Sequence, residues 1–251
     1  MSPRARMVVF GCGAAGFAAL LAWGLAGLPS FGHFDGAYGQ LLAHITVPER
    51  KATSVIAVTT FDFRGFDTLG EEFILFTAAV GVLVLLRLQR GEEQVPADPQ
   101  TPREPVAESL SLRSVATALV GPVLVLGIYV VAHGALTPGG GFQGGVVLMS
   151  SFLLVYLAGS HLRLGGSRPI TAMEVAEATG AAGFVLIGLG GLVLAGTFME
   201  NFIPAGTRGS LLSGGDVPLF NIAVGLEVMG ALLVVLGELL DQRLLTRKES
   251  D

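Results

Sequence analysis

The chain has 251 residues, 51% of them hydrophobic and only 14% charged, and its net charge is -5. A soluble domain of this size carries about a quarter charged residues, so the composition excludes an ordinary soluble fold. The mild acidity, with no basic stripe, excludes nucleic acid as a partner, and the single cysteine excludes a disulfide framework or a cysteine-based metal site.

Long uncharged runs predict an all-α integral membrane protein, because a helix needs roughly 20 apolar residues to cross the bilayer core. The runs predict about six spans, near 7–28, 70–88, 114–133, 145–163, 172–199 and 218–240. The first follows Arg4 and Arg6 as a signal peptide would. It is longer than a signal core, holds no clear cleavage site, and is read as a retained helix. With the N-terminus inside, Arg4, Arg6, Arg87, Arg90, Arg103, Arg113, Arg163, Arg168, Arg243, Arg247 and Lys248 fall on the cytoplasmic side. Arg50, Lys51, Arg64 and Arg208 fall outside. This positive-inside bias predicts that both termini are cytoplasmic.

The stretch 52–88 is too long for one span and too short for two. Its centre, FDFRGFDTLGEE, holds Asp62, Arg64, Asp67, Glu71 and Glu72. A short apolar helix, a turn at Arg64-Gly65 and a full span from about Thr68 would accommodate it. Thr68 and Glu71 have capping-box spacing, which gives Glu71 a structural reading at the outer surface. In the alternative reading, Asp62, Asp67 and Glu71, with Arg64 as counter-charge, form a polar cation or proton site at the membrane edge. Irregular backbone at that depth needs protein or a water-filled cavity around it.

RGEEQVPADPQTPREPVAES, residues 90–109, is rich in Pro and Glu and reads as a solvated linker over about 91–112. It separates a two-helix unit, 1–90, from a four-helix unit, 113–246. Next comes HGALTPGGGFQGG, residues 133–145. Pro138 cannot continue a helix, while Gly139, Gly140 and Gly141 open backbone angles and allow close approach. Phe142 and Gln143 follow, and Gly144 and Gly145 are expected to open the next helix. The loop reads as a tight outer turn or a clasp on a neighbour, with an architectural role. His133 ends the third span. It can titrate near neutral pH, and a helix-end histidine bonded to backbone is the commoner arrangement.

In the later spans Gly183, Gly188, Gly191 and Gly196 recur at helical spacing and predict close helix packing. Glu174 and Glu177 share a helix face. Glu174 falls in a second capping box with Thr171, and Glu177 lies one turn deeper. Glu227 falls near mid-bilayer, where a carboxylate must face protein or water, pair, or stay protonated. Glu238, Asp241 and the pair His161 and Arg163 read as interfacial, and His33 and His44 lack a second cluster to make a metal site. No catalytic motif is found: no phosphate loop with its Lys, no HExxH, no CxxC and no nucleophile elbow. A non-enzymatic chain with no cofactor and no metal is expected.

Two stretches resemble one family. ATSVIAVTTFDFRGFDTLGEEFILF, with Asp62, Arg64, Gly65, Asp67, Thr68, Leu69, Gly70 and Glu71, resembles the last two helices of the large MrpA component of Mrp-type multisubunit cation/proton antiporters. It also resembles MbhE, the equivalent small component of energy-converting membrane hydrogenases. HGALTPGGGFQGGVVLMSSFLLVYLAG resembles the MnhB/MrpB subunit family of the same antiporters. The resemblance implies an MbhE-like unit fused to an MnhB/MrpB-like unit in a multi-pass chain of a prokaryotic cell membrane. The implied partners are antiporter subunits of the A, C, D, E, F and G types, with Na+ and H+ as the transported ions. The proton-pumping modules would reside in those other chains, and this polypeptide alone would transport little. Asp62, Arg64, Asp67, Glu71, His133, Glu177 and Glu227 are the candidates for a cation or proton path. Pro138 to Gly145 are the candidates for subunit contact. A hydrogenase-type redox complex built on the same membrane parts, and a purely structural adaptor, are the alternatives.

Overall fold

A computed structural model describes residues 3–28, 32, 36–86, 109–156, 158 and 169–241. His33, His161, Arg163 and the linker up to residue 108 lie outside the described residues. Those described are helical or irregular. The helices are α1 (Pro3–Ala26), α2 (Ala37–Arg50), α3 (Val55–Val58), α4 (Gly65–Leu86), α5 (Leu110–Ala132), α6 (Gly141–Val155), α7 (Pro169–Leu194) and α8 (Val217–Asp241). A π-helical turn, Thr59–Phe63, joins α3 to α4.

Within the described residues, α1, α4, α5, α7 and α8 are long and apolar enough to cross a membrane, and α6 is a shorter apolar helix. The chain is a multi-pass membrane protein. The fourth expected span begins at Gly141 rather than near 145, so Gly141, Phe142 and Gln143 join Gly144 and Gly145 at the start of α6. Likewise α5 begins at Leu110, inside the stretch expected as linker.

Residues Met1–Leu41 and Leu42–Asp251 form two compact units. In the first, the described side chains of α1 are exposed apart from one intermediate residue; Phe10, Phe17 and Trp23 are examples of its apolar surface. In the second, α8 is the central helix and touches α4, α5, α6 and α7. Its buried positions include Phe220, Val224, Val228, Ala231 and Val234, spaced three or four apart as one helical face requires.

Ser54 starts α3 by accepting the Ala57 N–H on its hydroxyl, at 3.3 Å. The helix then widens into the π-helical turn and breaks at Arg64, whose N–H closes the turn on the Thr59 carbonyl at 2.8 Å. The expected short helix, break and full span are therefore present, but the span starts at Gly65 and not at Thr68. The expected capping box does not form. Thr68 is buried and its hydroxyl donates to the Thr60 carbonyl at 2.6 Å, tying α4 back to the π-helical turn. Glu71 is exposed. The second box is displaced too, because α7 starts at Pro169 and carries Thr171 inside the helix.

Candidate functional site

Three acidic side chains meet α8 at depth. Glu72 on α4 is 3% exposed, Glu177 on α7 is 3% exposed, and Glu227 on α8 is 0% exposed. Glu72 is buried because Gly65, Thr68, Glu72 and Ala79 share the packed face of α4. Glu71, about 100° away around the helix, faces out. Glu72 and Glu227 lie within hydrogen-bonding reach of each other, and Glu177 is close enough to Glu227 for their charges to interact. Two glycines create this proximity. A Cβ on Gly180 would stand 2.7 Å from the Glu227 Cβ, and one on Gly230 would stand 2.9 Å from the Glu177 Cα. Only bare backbone lets α7 and α8 approach so closely.

Apart from Glu72 and Glu227 toward each other, no described protein group donates a hydrogen bond to either oxygen of Glu72, either oxygen of Glu227 or Oε1 of Glu177. Buried carboxylates are costly unless paired or hydrogen-bonded. Two that face each other repel as anions, and a proton shared between them turns that repulsion into binding. Chemically, the arrangement offers buried carboxyl oxygens that can bind and release a proton.

A second charged cluster lies at the break before α4. Asp62 and Arg50 form an ion pair with the carboxylate side chain 4% exposed, and the Arg50 guanidinium stands 5.7 Å from the Phe63 ring centre. Burial raises the Asp62 carboxyl above its ordinary value, against the opposing pull of Arg50. Arg64 pairs instead with Asp67, three residues on, and both are exposed. The expected grouping of Asp62, Asp67 and Glu71 around Arg64 is therefore divided. Asp62 takes Arg50 from α2, Asp67 takes Arg64 at the surface, and Glu71 joins neither pair.

The glycine motif is a joint. Gly139 and Gly140 have φ of +130° and +119°, angles closed to ordinary side chains. Their conformation aims the Gly141 N–H at Asn221 Oδ1, 2.8 Å away on α8, while the Asn221 amide donates to the Val217 carbonyl at 2.9 Å. A Cβ on Gly145 would stand 2.8 Å from the Val228 Cβ, so α6 and α8 also pack backbone to backbone. On the other side of the joint, the Thr53 and Ser54 N–H groups both donate to the Ala135 carbonyl, at 3.1 Å. Pro138 and Gln143 are at least partly exposed, and Phe142 packs against the apolar core. His133 closes α5: its Nδ1 is 3.0 Å from the Tyr129 carbonyl and its ring stacks on Tyr129.

The structure thus brings Glu177 and Glu227 together and leaves Asp67, Arg64, Glu71 and His133 apart from them. Glu72, Arg50, Asn201, Asp216 and Asn221 are the buried or paired polar residues that sequence reasoning did not select. Of the expected packing glycines, Gly183 faces Ala223 of α8. Gly188 and Gly191 instead admit Met199 and Glu200 from their own returning loop, and Gly196, with φ of +94°, helps turn that loop.

Comparison with known proteins agrees with this layout. Residues 4–103 match the MbhE family, a component of MBH, and residues 111–234 match a domain related to the MnhB subunit of Na+/H+ antiporter. An uncharacterized protein of Methanocaldococcus jannaschii is 28% identical over 240 residues, covering 84% of this chain and 85% of its own length. A probable K(+)/H(+) antiporter A/B subunit of Rhizobium meliloti is 32% identical over 127 residues, 44% of this chain and 13% of that protein. Among solved structures, a chain of the membrane-bound sulfane sulfur reductase, an archaeal respiratory membrane complex, has a TM-score of 0.68 at 29% identity, over 95% of this chain and 99% of that one. A chain of the Mrp complex of Dietzia sp. shares the fold at a TM-score of 0.68 and 24% identity, over 95% of this chain and 26% of that one. The chain is therefore a multi-pass membrane protein that joins, in one polypeptide, a segment matching MbhE and a domain related to MnhB.

Proposed function

We propose that this chain is a subunit of a multisubunit Na+/H+ antiport module. In this reading it assembles with the other antiporter subunit types, keeps both termini in the cytoplasm, and joins a two-helix unit over 1–90 to a four-helix unit over 113–246 through the linker at 91–112. It catalyses no covalent chemistry. Its contribution to transport is the acidic set Glu72, Glu227 and Glu177, which takes a proton or Na+ on its way between this chain and its partners. The carrying observation is that these three carboxylates are buried at span depth with oxygens that no described protein group outside the set satisfies. Ionisable residues inside membrane spans are costly, face protein or water, pair with one another and mark ion pathways.

The test is Na+-driven proton movement in vesicles containing the purified complex. Glu227→Gln should abolish it while the complex still assembles. Normal transport in an assembled Glu227→Gln complex would leave the chain as an adaptor.

A second reading has a specific observation behind it: the match to the sulfane sulfur reductase chain runs over 99% of that chain. The same membrane module would then sit beneath a redox arm, its ion movement driven by electron transfer. Iron–sulfur signals in the complex purified through this polypeptide would select that reading, and their absence from an active antiporter would reject it.

A further inference from the structure

A separate cavity of about 330 Å³ opens beside the π-helical turn, lined in part by Arg50, Asp62, Arg64, Glu200 and Asn201. Just ahead of α8 lies Asp216, 1% exposed, whose N–H is held by the cavity residue Asn201. Asn201 connects the two. Its Oδ1 accepts the Asp216 N–H at 3.2 Å, its amide donates to the Gly214 carbonyl at 3.0 Å, and it reaches the Asp62 carboxylate from the cavity wall. Phe202 N–H supports the Asp216 carboxyl, yet Oδ1 of Asp216 has no hydrogen-bond donor among the described groups. A buried, unsatisfied carboxylate oxygen within electrostatic reach of a second carboxylate is a place where a proton is bound. Asn201 thus links Asp216 to Asp62 and to the cavity wall.

The position of this pair adds meaning. Asp62 precedes α4 and Asp216 precedes α8, the same two helices that carry Glu72 and Glu227. Asp216 lies eleven residues ahead of Glu227, roughly 16 Å along α8, and Asp62 lies ten residues ahead of Glu72 across the break at Arg64. Between the two levels lie three phenylalanines. Phe61 stacks on Phe220 with ring centres 5.8 Å apart, Phe184 meets Phe220 at 4.6 Å, and all three are buried.

We propose that Asp216, with Asp62 and the tethered counter-ion Arg50, is a proton-binding station served from the cavity and separated from the deeper glutamates by the Phe61, Phe184 and Phe220 cluster. The proton comes from water in the cavity and adds to Asp216 Oδ1. No other bond changes. The charged groups facing the pair are Arg50 and Glu49 from α2, with Arg64 and Glu200 on the cavity wall. Burial, and then the charge of Asp62, raises the Asp216 carboxyl to about 7, while Arg50 opposes the rise. The station is a property of this chain under either driving force described above, so its test does not depend on Na+ transport.

Infrared difference spectroscopy of the intact complex in vesicles, titrated between about pH 5 and 9, reads the site directly. A protonated-carboxyl band should titrate near neutral pH and disappear in Asp216→Asn. In Arg50→Gln, a change at a partly exposed residue, the same band should titrate at higher pH, because a favourable counter-charge is gone. Absence of such a band in the wild type, its survival in Asp216→Asn, or an unmoved midpoint in Arg50→Gln would each overturn the proposal.

Discussion

The seam between α4 and α8 and the seam between α6 and α8 use the same central helix in opposite ways. At the α6 seam, side chains are removed: Gly141, Gly144 and Gly145 are buried, and the polar contact from the Gly141 N–H to Asn221 is fully made. At the α4 seam, acidic side chains are added: Glu72 and Glu227 lie within hydrogen-bonding reach of each other, and no third described group donates to either. A seam whose hydrogen bonds are complete holds helices together. Under the proposed function, the seam that buries carboxylates is the one that handles the proton. One helix therefore carries a face whose polar contacts are complete and a face where carboxylates meet with no third donor, and under the proposed function the second is the chemical one.

Substitutions can break this contrast, and the largest effect belongs to the chemical face. Replacing Glu227 with Gln keeps the shape and removes the ionisable group. Ion-driven proton movement by the assembled complex should fall on the order of 100-fold, with subunit composition unchanged on native gels. On the architectural face, Gly145→Val places methyl groups against Val228, which the structure cannot admit without separating α6 from α8. That change should destabilise the chain by about 1–3 kcal/mol or more, read as lost assembly rather than lost transport in intact complexes. Asn221→Ala strips the Gly141 N–H of its acceptor while leaving the helix face apolar. Thermal unfolding of the purified complex should register about 1–3 kcal/mol.

A smaller effect sharpens the comparison through pH. The Asp216 carboxyl sits at about 7 in the fold against 3.8 as its ordinary value, so between these values the folded chain binds the extra proton. Stability contributed by this group is fully present below about pH 4, falls as pH rises, and levels off above about pH 7. Asp216→Asn should flatten that slope in unfolding measurements. Stability rising with pH across the same window, in a manner the variant removes, would contradict the assignment.

Much of this fold was legible in the sequence because hydrophobic length and glycine are blunt signals. The runs that became α4, α5, α7 and α8 announce themselves by apolar length, and Pro138 with its glycines announces a joint. The candidate site was legible only in part. Glu227 stands alone in an apolar run and is conspicuous, as is Glu177 one turn beyond Glu174. Glu71 and Glu72 are adjacent, and which one is buried depends on helical phase. The spacing of Gly65, Thr68, Glu72 and Ala79 along one face carried that information, but the capping-box pattern of Thr68 and Glu71 pointed the other way. The pairing of Asp62 with Arg50 rather than Arg64 was not legible, because it depends on how α2 returns to the π-helical turn. The role of Asn201 depends on a long loop folding back, which no local periodicity encodes.

The adjacent pair at the start of α4 offers the most direct measurement. Glu71→Gln and Glu72→Gln change the same chemistry one residue apart, and both can be compared in vesicles holding the purified complex, under the same imposed ion gradient. Proton movement should collapse with Glu72→Gln and stay at the wild-type rate with Glu71→Gln. The opposite pattern, with Glu72→Gln active and Glu71→Gln silent, would contradict a buried carboxylate pair at the α4–α8 seam as the ion-handling site.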